Sequence, residues 1–378
     1  LDLAANGNNG KEIMQAEFDR ETLLRALQVV EAVVPAKPTR EILGRVLLQF
    51  GSGGSSLSAT DTELEIRHGL PVGQGESGQV LLPQQTRQIL SELRCESVTL
   101  TVKKNTLRIS GPGAEFKLPT SDPDEFPSVA VPSDCSTCEV TARDLRRGLQ
   151  CALIATDPAS TRYALGGVAF VSEPGFVLTL VATDSRRLAA CSIGVTGVFP
   201  ARTPPHVVPI KAMTLLLRCL PEDDTPVLFA FDDVSVSFAF GETRIKSRLL
   251  EGRFPTWQKV IPETFTRDAV GVVSVLSSAV RQSMVVATPE SRGVEFAFSE
   301  NTLRLSAATT NGQSRSEAIV EYAADPLTIT FDPKFVLDFL KVLRHEDKVT
   351  ISLNAPDSAA LLSADGVRYV LMPLTDRE

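Results

Sequence analysis

Apolar and polar side chains alternate strictly along Val98-Thr99-Leu100-Thr101-Val102 and along Val234-Ser235-Val236-Ser237-Phe238. A period of two buries one face of a strand and leaves the other wet. Helical spacing of apolar residues appears instead over 20–32, 142–155 and 276–287. Each of these runs is followed by a predicted strand pair that ends near a matched tripeptide: Ala59-Thr60-Asp61, Ala182-Thr183-Asp184 and, more loosely, Ala308-Thr309-Thr310. The tripeptides lie 123 and 126 residues apart. A strand, a turn and a second helix come next, as Leu82-Pro83 into 84–93, Val208-Pro209 into 211–220, and Phe331-Asp332-Pro333 into 334–343. A repeat of about 125 residues is the size of a domain, so the pattern predicts three copies of one α+β domain. The expected boundaries are 14–136, 137–266 and 267–378. They follow a leader at 1–13 that is too rich in Asn and Gly to pack and is expected to be flexible, which makes Met14 the expected native start.

Composition fits this count. With 378 residues, 43% of them hydrophobic and 22% charged, the chain can fill more than one core. Six cysteines (Cys95, Cys135, Cys138, Cys151, Cys191, Cys219) are scattered without the spacing of a disulfide framework, which suits buried thiols in a reducing compartment. The chain contains no apolar run long enough to span a bilayer and no basic-then-apolar start at its N-terminus, so a cytoplasmic location is expected.

The formal charge of −8 argues against a nucleic-acid partner until its distribution is considered. The six helical windows, 20–32, 84–94, 142–155, 211–220, 276–287 and 333–344, hold thirteen Lys and Arg against five Asp and Glu. The helices are therefore basic and the remainder acidic. Helices gathered on one surface would attract phosphates while the outside repelled them. A domain of this length has a diameter of roughly 35 Å. Three such bodies in a triangle enclose a hole about 5 Å wide, and six in a hexagon one about 35 Å wide, by the same scaling. Only the six-body ring admits a duplex, and three domains per chain then require a dimer closed head to tail.

Motifs for catalysis are weak. Gly73-Gln74-Gly75-Glu76-Ser77-Gly78 has dinucleotide-site spacing, but a strand-like segment follows it where a helix is needed, so a turn is expected. Gly51-Ser52-Gly53-Gly54 lacks the ending of a phosphate loop. Cys135-Ser136-Thr137-Cys138 has no second pair, and His68, His206 and His345 are far apart in sequence, so neither a metal nor a cofactor is expected. Asp122, Asp124 and Glu125 read as a solvated turn.

Several stretches, in order, carry a family resemblance. They are Ala36-Lys37-Pro38-Thr39 with Ile42-Leu43-Gly44; Thr161-Arg162-Tyr163-Ala164-Leu165-Gly166-Gly167-Val168; Val181-Ala182-Thr183-Asp184-Ser185-Arg186-Arg187-Leu188-Ala189; Leu250-Glu251-Gly252-Arg253-Phe254-Pro255; Ser291-Arg292-Gly293-Val294; and Tyr369-Val370-Leu371-Met372-Pro373-Leu374. From about Met14 to Leu374 the chain resembles the bacterial DNA polymerase III beta subunits, the sliding clamps. The resemblance implies a non-catalytic processivity factor: a head-to-tail homodimeric ring around duplex DNA, with two helices of each domain toward the channel and antiparallel sheets outside. Its implied partners are double-stranded DNA without regard to sequence, the polymerase III alpha subunit, the clamp-loader complex, other polymerases and repair proteins with clamp-binding motifs, and a second copy of the chain.

The resemblance also implies residues. A pocket for short linear motifs would comprise Arg162, Leu165, Thr183, Ser185, Arg186, Arg187, Leu188, Pro255, Lys259, Val260, Val370, Met372, Pro373 and Leu374. DNA would be touched by Lys37, Tyr163, Lys211, Arg253 and Asn311, through phosphates and sugar. Phe116 and Leu118 of one subunit would meet Val285 and Val286 of the other. The chain departs from the family pattern at Ala164, where relatives have a second aromatic, and at Ser185-Arg186, where they often have Gly-His; motif preference is expected to differ accordingly. The tail Thr375-Asp376-Arg377-Glu378 runs past the usual end, where its acids would compete with an incoming peptide or stay disordered.

Overall fold

The computed structural model describes residues 13–51, 53–71, 74–75, 77–127, 137–157, 165–197, 204–286, 293–310 and 312–374. Among these, one order of elements recurs three times. The first copy runs β1 (Met14–Asp19), α1 (Arg20–Val30), β2 (Val46–Phe50), β3 (Ser55–Thr60), β4 (Leu64–Leu70), β5 (Gln74–Gly75), β6 (Gly78–Leu82), α2 (Gln85–Glu92), β7 (Ser97–Lys103), β8 (Thr106–Gly111) and β9 (Ala114–Pro119). The second runs β10 (Cys138–Thr141), α3 (Ala142–Leu153), β11 (Gly167–Glu173), β12 (Val177–Thr183), β13 (Arg187–Gly194), β14 (Thr196–Gly197), β15 (His206–Pro209), α4 (Ile210–Cys219), β16 (Pro226–Phe231), β17 (Ser235–Phe240) and β18 (Thr243–Arg248). The third runs β19 (Arg267–Val272), α5 (Val273–Ser283), β20 (Val294–Ser299), β21 (Thr302–Thr309), β22 (Gly312–Ile319), β23 (Leu327–Phe331), α6 (Pro333–Lys341), β24 (Lys348–Leu353), β25 (Ala360–Ala364) and β26 (Val367–Leu371). Apart from the two-residue strands β5 and β14, the three orders are identical.

The chain forms two compact units, residues 1–135 with 227–248, and 136–226 with 249–378. In the first, β5-β1-β7-β8-β9 make one antiparallel sheet, and β16-β17-β18-β4-β3-β2-β6 lie consecutively in another. In the second, β15-β11-β12-β13-β26-β25-β24-β19 form an eight-stranded sheet and β22-β21-β20-β23 a four-stranded one. Copies are thus joined edge to edge: β4 pairs with β18, and β13 with β26.

Local sequence explains the helices. Asp19 and Thr141 cap α1 and α3 by accepting the amide hydrogens of Thr22 (2.7 Å) and Asp144 (3.1 Å). Asp332 caps α6, with Pro333 in its first turn. Leu23, Ala26, Leu27 and Val30 place the buried face of α1 against β3 and β4. In the same way α3 packs on β12 and β13, and α5 on β21 and β22, and each of these helices also packs on the second helix of its copy. Each fully buried Leu, Val or Phe contributes roughly 1.5–3 kcal/mol.

Three expectations are corrected. Helix α5 begins at Val273, three residues before the predicted start, because Val273 is buried together with Leu276 and Val280. Gln74 and Gly75 form a strand against Ala16 and Glu17, where a turn was expected. Gly75, at φ +146°, permits the approach: a Cβ there would stand 2.1 Å from the Gln15 carbonyl oxygen. The third tripeptide is offset by one residue. Ala59 and Ala182 are buried and pair with Ile66 and Ala189, whereas in the third copy the buried alanine is Ala307, paired with Ser314, and Ala308 points outward. The third hairpin therefore matches the others as Ala307-Ala308-Thr309.

Candidate functional site

Two of the tripeptides build the same turn. Thr60 Oγ1 donates to the Leu64 carbonyl (3.0 Å), and Thr183 Oγ1 to that of Arg187 (2.7 Å). Asp61 Oδ1 accepts from the amides of Glu63 and Leu64, and Asp184 Oδ1 from those of Arg186 and Arg187. Thr62 and Ser185 both take positive φ, +83° and +72°. The side chain that leaves the turn differs between the copies: the first has the buried Leu64 and the second has Arg187.

Arg187 is held on every side. Its Nε donates to Asp184 Oδ2 and its Nη1 to Asp338 Oδ2, both at 2.9 Å, and its guanidinium lies 4.0 Å from the Phe335 ring centroid. The Tyr369 hydroxyl, 3.5 Å from Nη1, donates to the Phe335 carbonyl, and its ring stacks on Phe339 at 5.0 Å. Burial works against the arginine charge, but Tyr369, Asp338 and Asp184 outweigh it and raise the pKa further above the ordinary arginine range. Burial likewise pushes the Tyr369 phenol up, against the opposing pull of Arg187.

On the opposite face of the same strands, Leu188 and Val370 sit side by side in a core with Ala190, Val181, Phe254 and Trp257. The Arg368 guanidinium lies 5.4 Å from the Trp257 ring centroid. After β26 the chain is anchored twice more: the Met372 amide donates to the Arg186 carbonyl (2.9 Å), and the Leu374 amide to that of Thr330 (2.8 Å). That anchoring leaves Met372 and Leu374 with 43% and 38% of their surface in solvent, and Val260, at the end of a short 3-10 helix, has 44%. Ser185, Arg186 and Lys259 are exposed, and Pro255 and Pro373 half-buried.

The described residues expected to form a pocket therefore fall into three groups, one of them the half-buried Arg187, Pro255 and Pro373. Leu165, Thr183, Leu188 and Val370 are buried backing, and Met372, Leu374, Val260, Ser185, Arg186 and Lys259 offer accessible surface. Arg162, Tyr163, Asn311 and the tail 375–378 lie outside the described residues, as does Cys135. Sequence reasoning missed Asp184, Asp338, Phe335 and Tyr369 as the setting of Arg187. A signal existed for two of them, since Phe335 and Asp338 are three apart on α6 and so share a helix face.

The basic helices have structural duties as well. Arg25 pairs with Glu21, Arg87 with Glu31 (2.7 Å), Arg143 with Asp224 (2.7 Å) and Arg147 with Asp365 (2.6 Å). Arg20 and Arg146 donate to the carbonyls of Leu90 and Leu220 near the ends of the neighbouring helices. Lys37, Lys211 and Arg253 are exposed. Leu24, Gln28, Gln84, Arg87, Gln88 and Ser91 line a recess of about 300 Å³ between α1 and α2. Phe116 and Leu118 are half-buried on β9, Val286 is half-buried, and Val285 has 82% of its surface exposed. Among the described residues, no three His, Cys, Asp or Glu side chains converge as metal ligands, and no helix is long and apolar enough to cross a membrane.

Three family descriptions match the chain in succession: DNA polymerase III beta subunit, N-terminal domain, over 14–130; the central domain over 139–256; and the C-terminal domain over 258–375. The beta sliding clamps of Haemophilus influenzae and Escherichia coli K12 are each 27% identical to it, covering 96% of this chain and 100% of their own. The crystal structure of the Pseudomonas aeruginosa DNA polymerase III subunit beta superposes with a TM-score of 0.89 at 28% identity, over 96% of this chain and 100% of that one. The Bacillus subtilis sliding clamp shares the fold, with a TM-score of 0.91 at 21% identity over 97% and 100%.

Proposed function

Because the chain belongs to the DNA polymerase III beta subunit family, the non-catalytic sliding clamps that give replicative polymerases their processivity, we propose that two copies close head to tail into a ring around duplex DNA. The observation that carries this reading is the arithmetic of edges. Three like domains, with boundaries near 14–136, 137–266 and 267–378, use two edge-to-edge junctions, β4 with β18 and β13 with β26. The equivalent edges β9 and β22 each have a single neighbour among the described strands. A second copy supplies the partner for each, and the two-fold assembly closes.

Within such a ring the function is topological. Lys37, Lys211, Arg253, Tyr163 and Asn311 touch phosphate and sugar without reading bases, so the ring slides readily and leaves only by opening. The start of β13 and the run 372–374 form the dock for short apolar motifs of the polymerase alpha subunit, the clamp loader, and other polymerases and repair proteins, all in the cytoplasm. Arg187, fixed by two carboxylates, gives that dock a rigid wall, while Met372, Val260 and Leu374 supply adaptable apolar contact.

Retention on DNA after loading tests the proposal. The chain is expected to stay on nicked circular duplex and to run off the same duplex once it is linearised. Equal loss from both would contradict a topological link.

A further inference from the structure

Four arginines on the helices of the first two copies each come with a carboxylate. Arg25 on α1 pairs with Glu21 one turn before it, and Arg87 on α2 with Glu31 just past the end of α1 (2.7 Å). Arg143 on α3 pairs with Asp224 in the loop after α4 (2.7 Å), and Arg147 with Asp365 in the turn between β25 and β26 (2.6 Å). All four arginines keep between 37% and 74% of their side-chain surface in solvent. Exposed pairs of this kind contribute little to stability.

No single feature of the repeat produces these pairs. Aligning the capping residues Asp19 and Thr141 sets Glu21 against Arg143, Arg25 against Arg147 and Glu31 against Leu153. The carboxylates thus come from four different places: the same helix, the end of the first helix, the loop after the second helix and a β-turn. A pairing that recurs without a shared geometry, where it adds little to folding, indicates a use at the surface itself.

Arg143 shows what that use is. Its Nε donates to Asp224 Oδ1 at 2.7 Å and its Nη2 to Asp224 Oδ2 at 3.4 Å. A phosphate gripped at two points along that side of the guanidinium needs the same two donors. The hydrogen bonds and charge of Asp224 raise the Arg143 pKa above its ordinary value. The neighbouring Asp223 is committed elsewhere, since its Oδ1 accepts from the amide and hydroxyl of Thr225.

Resting on the reading that these helices face DNA, we infer that Asp224 is a built-in counterion that holds Arg143 off the phosphates, and that Glu21, Glu31 and Asp365 act on their arginines in the same way. A cation that meets a phosphate gains affinity by releasing mobile counterions. An arginine neutralised by its own chain releases none and must first give up its carboxylate. Lys37 belongs to the other class: it is exposed, pairs with no carboxylate among the described residues, and meets phosphate directly. The ring therefore attracts the duplex through such cations while making few two-point grips that sliding would have to break.

Binding of the full-length chain to a short labelled linear duplex, followed by fluorescence anisotropy between about 50 and 200 mM salt, tests this. Asp224→Asn should tighten binding several-fold at the low-salt end and steepen the salt slope by about 0.9, the equivalent of one added phosphate contact. In an Arg143→Gln background the same substitution should have no effect, because it acts through the arginine. A gain that survives in that background would make Asp224 a simple repelling charge and overturn the inference. Unchanged binding on Asp224→Asn, in a chain that Lys37→Ala still weakens, would overturn it too and leave the DNA reading standing. If neither Lys37→Ala nor Asp224→Asn alters binding, both fall.

Discussion

The β13–β26 junction and the edge strands β9 and β22 are built to one plan and put to different uses. At the junction, Ala189 and Cys191 pair with Tyr369 and Val367, all buried, and the ladder is sealed by α6 on one face and Trp257 on the other. At the edges the same positions carry Phe116 and Ala114, only half-buried, and Ser314 and Ser316, whose hydroxyls turn back onto carbonyls of α5. Outward charges flank them: Glu115 and Lys117 on β9, Arg315 and Glu317 on β22. Such charges discourage indiscriminate strand addition while leaving room for one chosen partner. Under the proposed ring, a repeat becomes an assembly element through side-chain changes alone, with the backbone pairing pattern kept.

The largest effect is expected where the edge is already sealed. Tyr369→Ala removes a fully buried ring from the internal junction and should cost about 3–5 kcal/mol of folding stability, read by denaturant unfolding. Its equivalent at the open edge should behave differently. Phe116→Asp should leave the far-UV circular dichroism of the chain intact while raising the dimer dissociation constant about a hundredfold, roughly 2.7 kcal/mol. Similar losses of folding stability from both changes would erase the distinction between the regions.

Next in size is Arg187, whose equivalent at the head of β22 is Gly312. Arg187→Ala would leave Asp184 part-buried without its cation and Asp338 with Lys341 alone at 4.0 Å, at a cost of about 2 kcal/mol, with motif-peptide affinity falling at least tenfold. Unchanged peptide binding, measured by fluorescence anisotropy, would remove Arg187 from the dock.

The smallest effect concerns the other sealed junction. Glu65 on β4 stands opposite Lys246 on β18. Burial raises its pKa to about 7, against the opposing pull of Lys246 and Arg67. A carboxyl whose pKa is higher when folded contributes stability that is complete below its unfolded value, near 4.5, and is lost as pH rises through about 7. Unfolding free energy should therefore fall modestly between pH 5 and pH 8, and Glu65→Gln should flatten that slope. A slope that survives the substitution would assign it to other groups.

Much of the fold was legible because its signals are local. Period-two strands such as 98–102, capped helices, and the tripeptides at 59–61 and 182–184 recur on one spacing. The third copy was misaligned by one residue because β22, Gly312–Ile319, sets Ser314 toward α5 where the other copies set Ile66 and Ala189; the hydrophobic alternation that marks a half-buried strand is missing there. The site was legible only in part. Asp184 could be noticed as a repeat marker, but its bond to Arg187, and the contribution of Asp338 from more than 150 residues away, depend on tertiary packing that no local pattern records.

Sedimentation equilibrium of the native chain at micromolar concentration tests the pairing of two copies most directly. A single species of twice the 40.7 kDa chain mass is the expected result. A 40.7 kDa monomer, or an open series of trimers and tetramers, would contradict it.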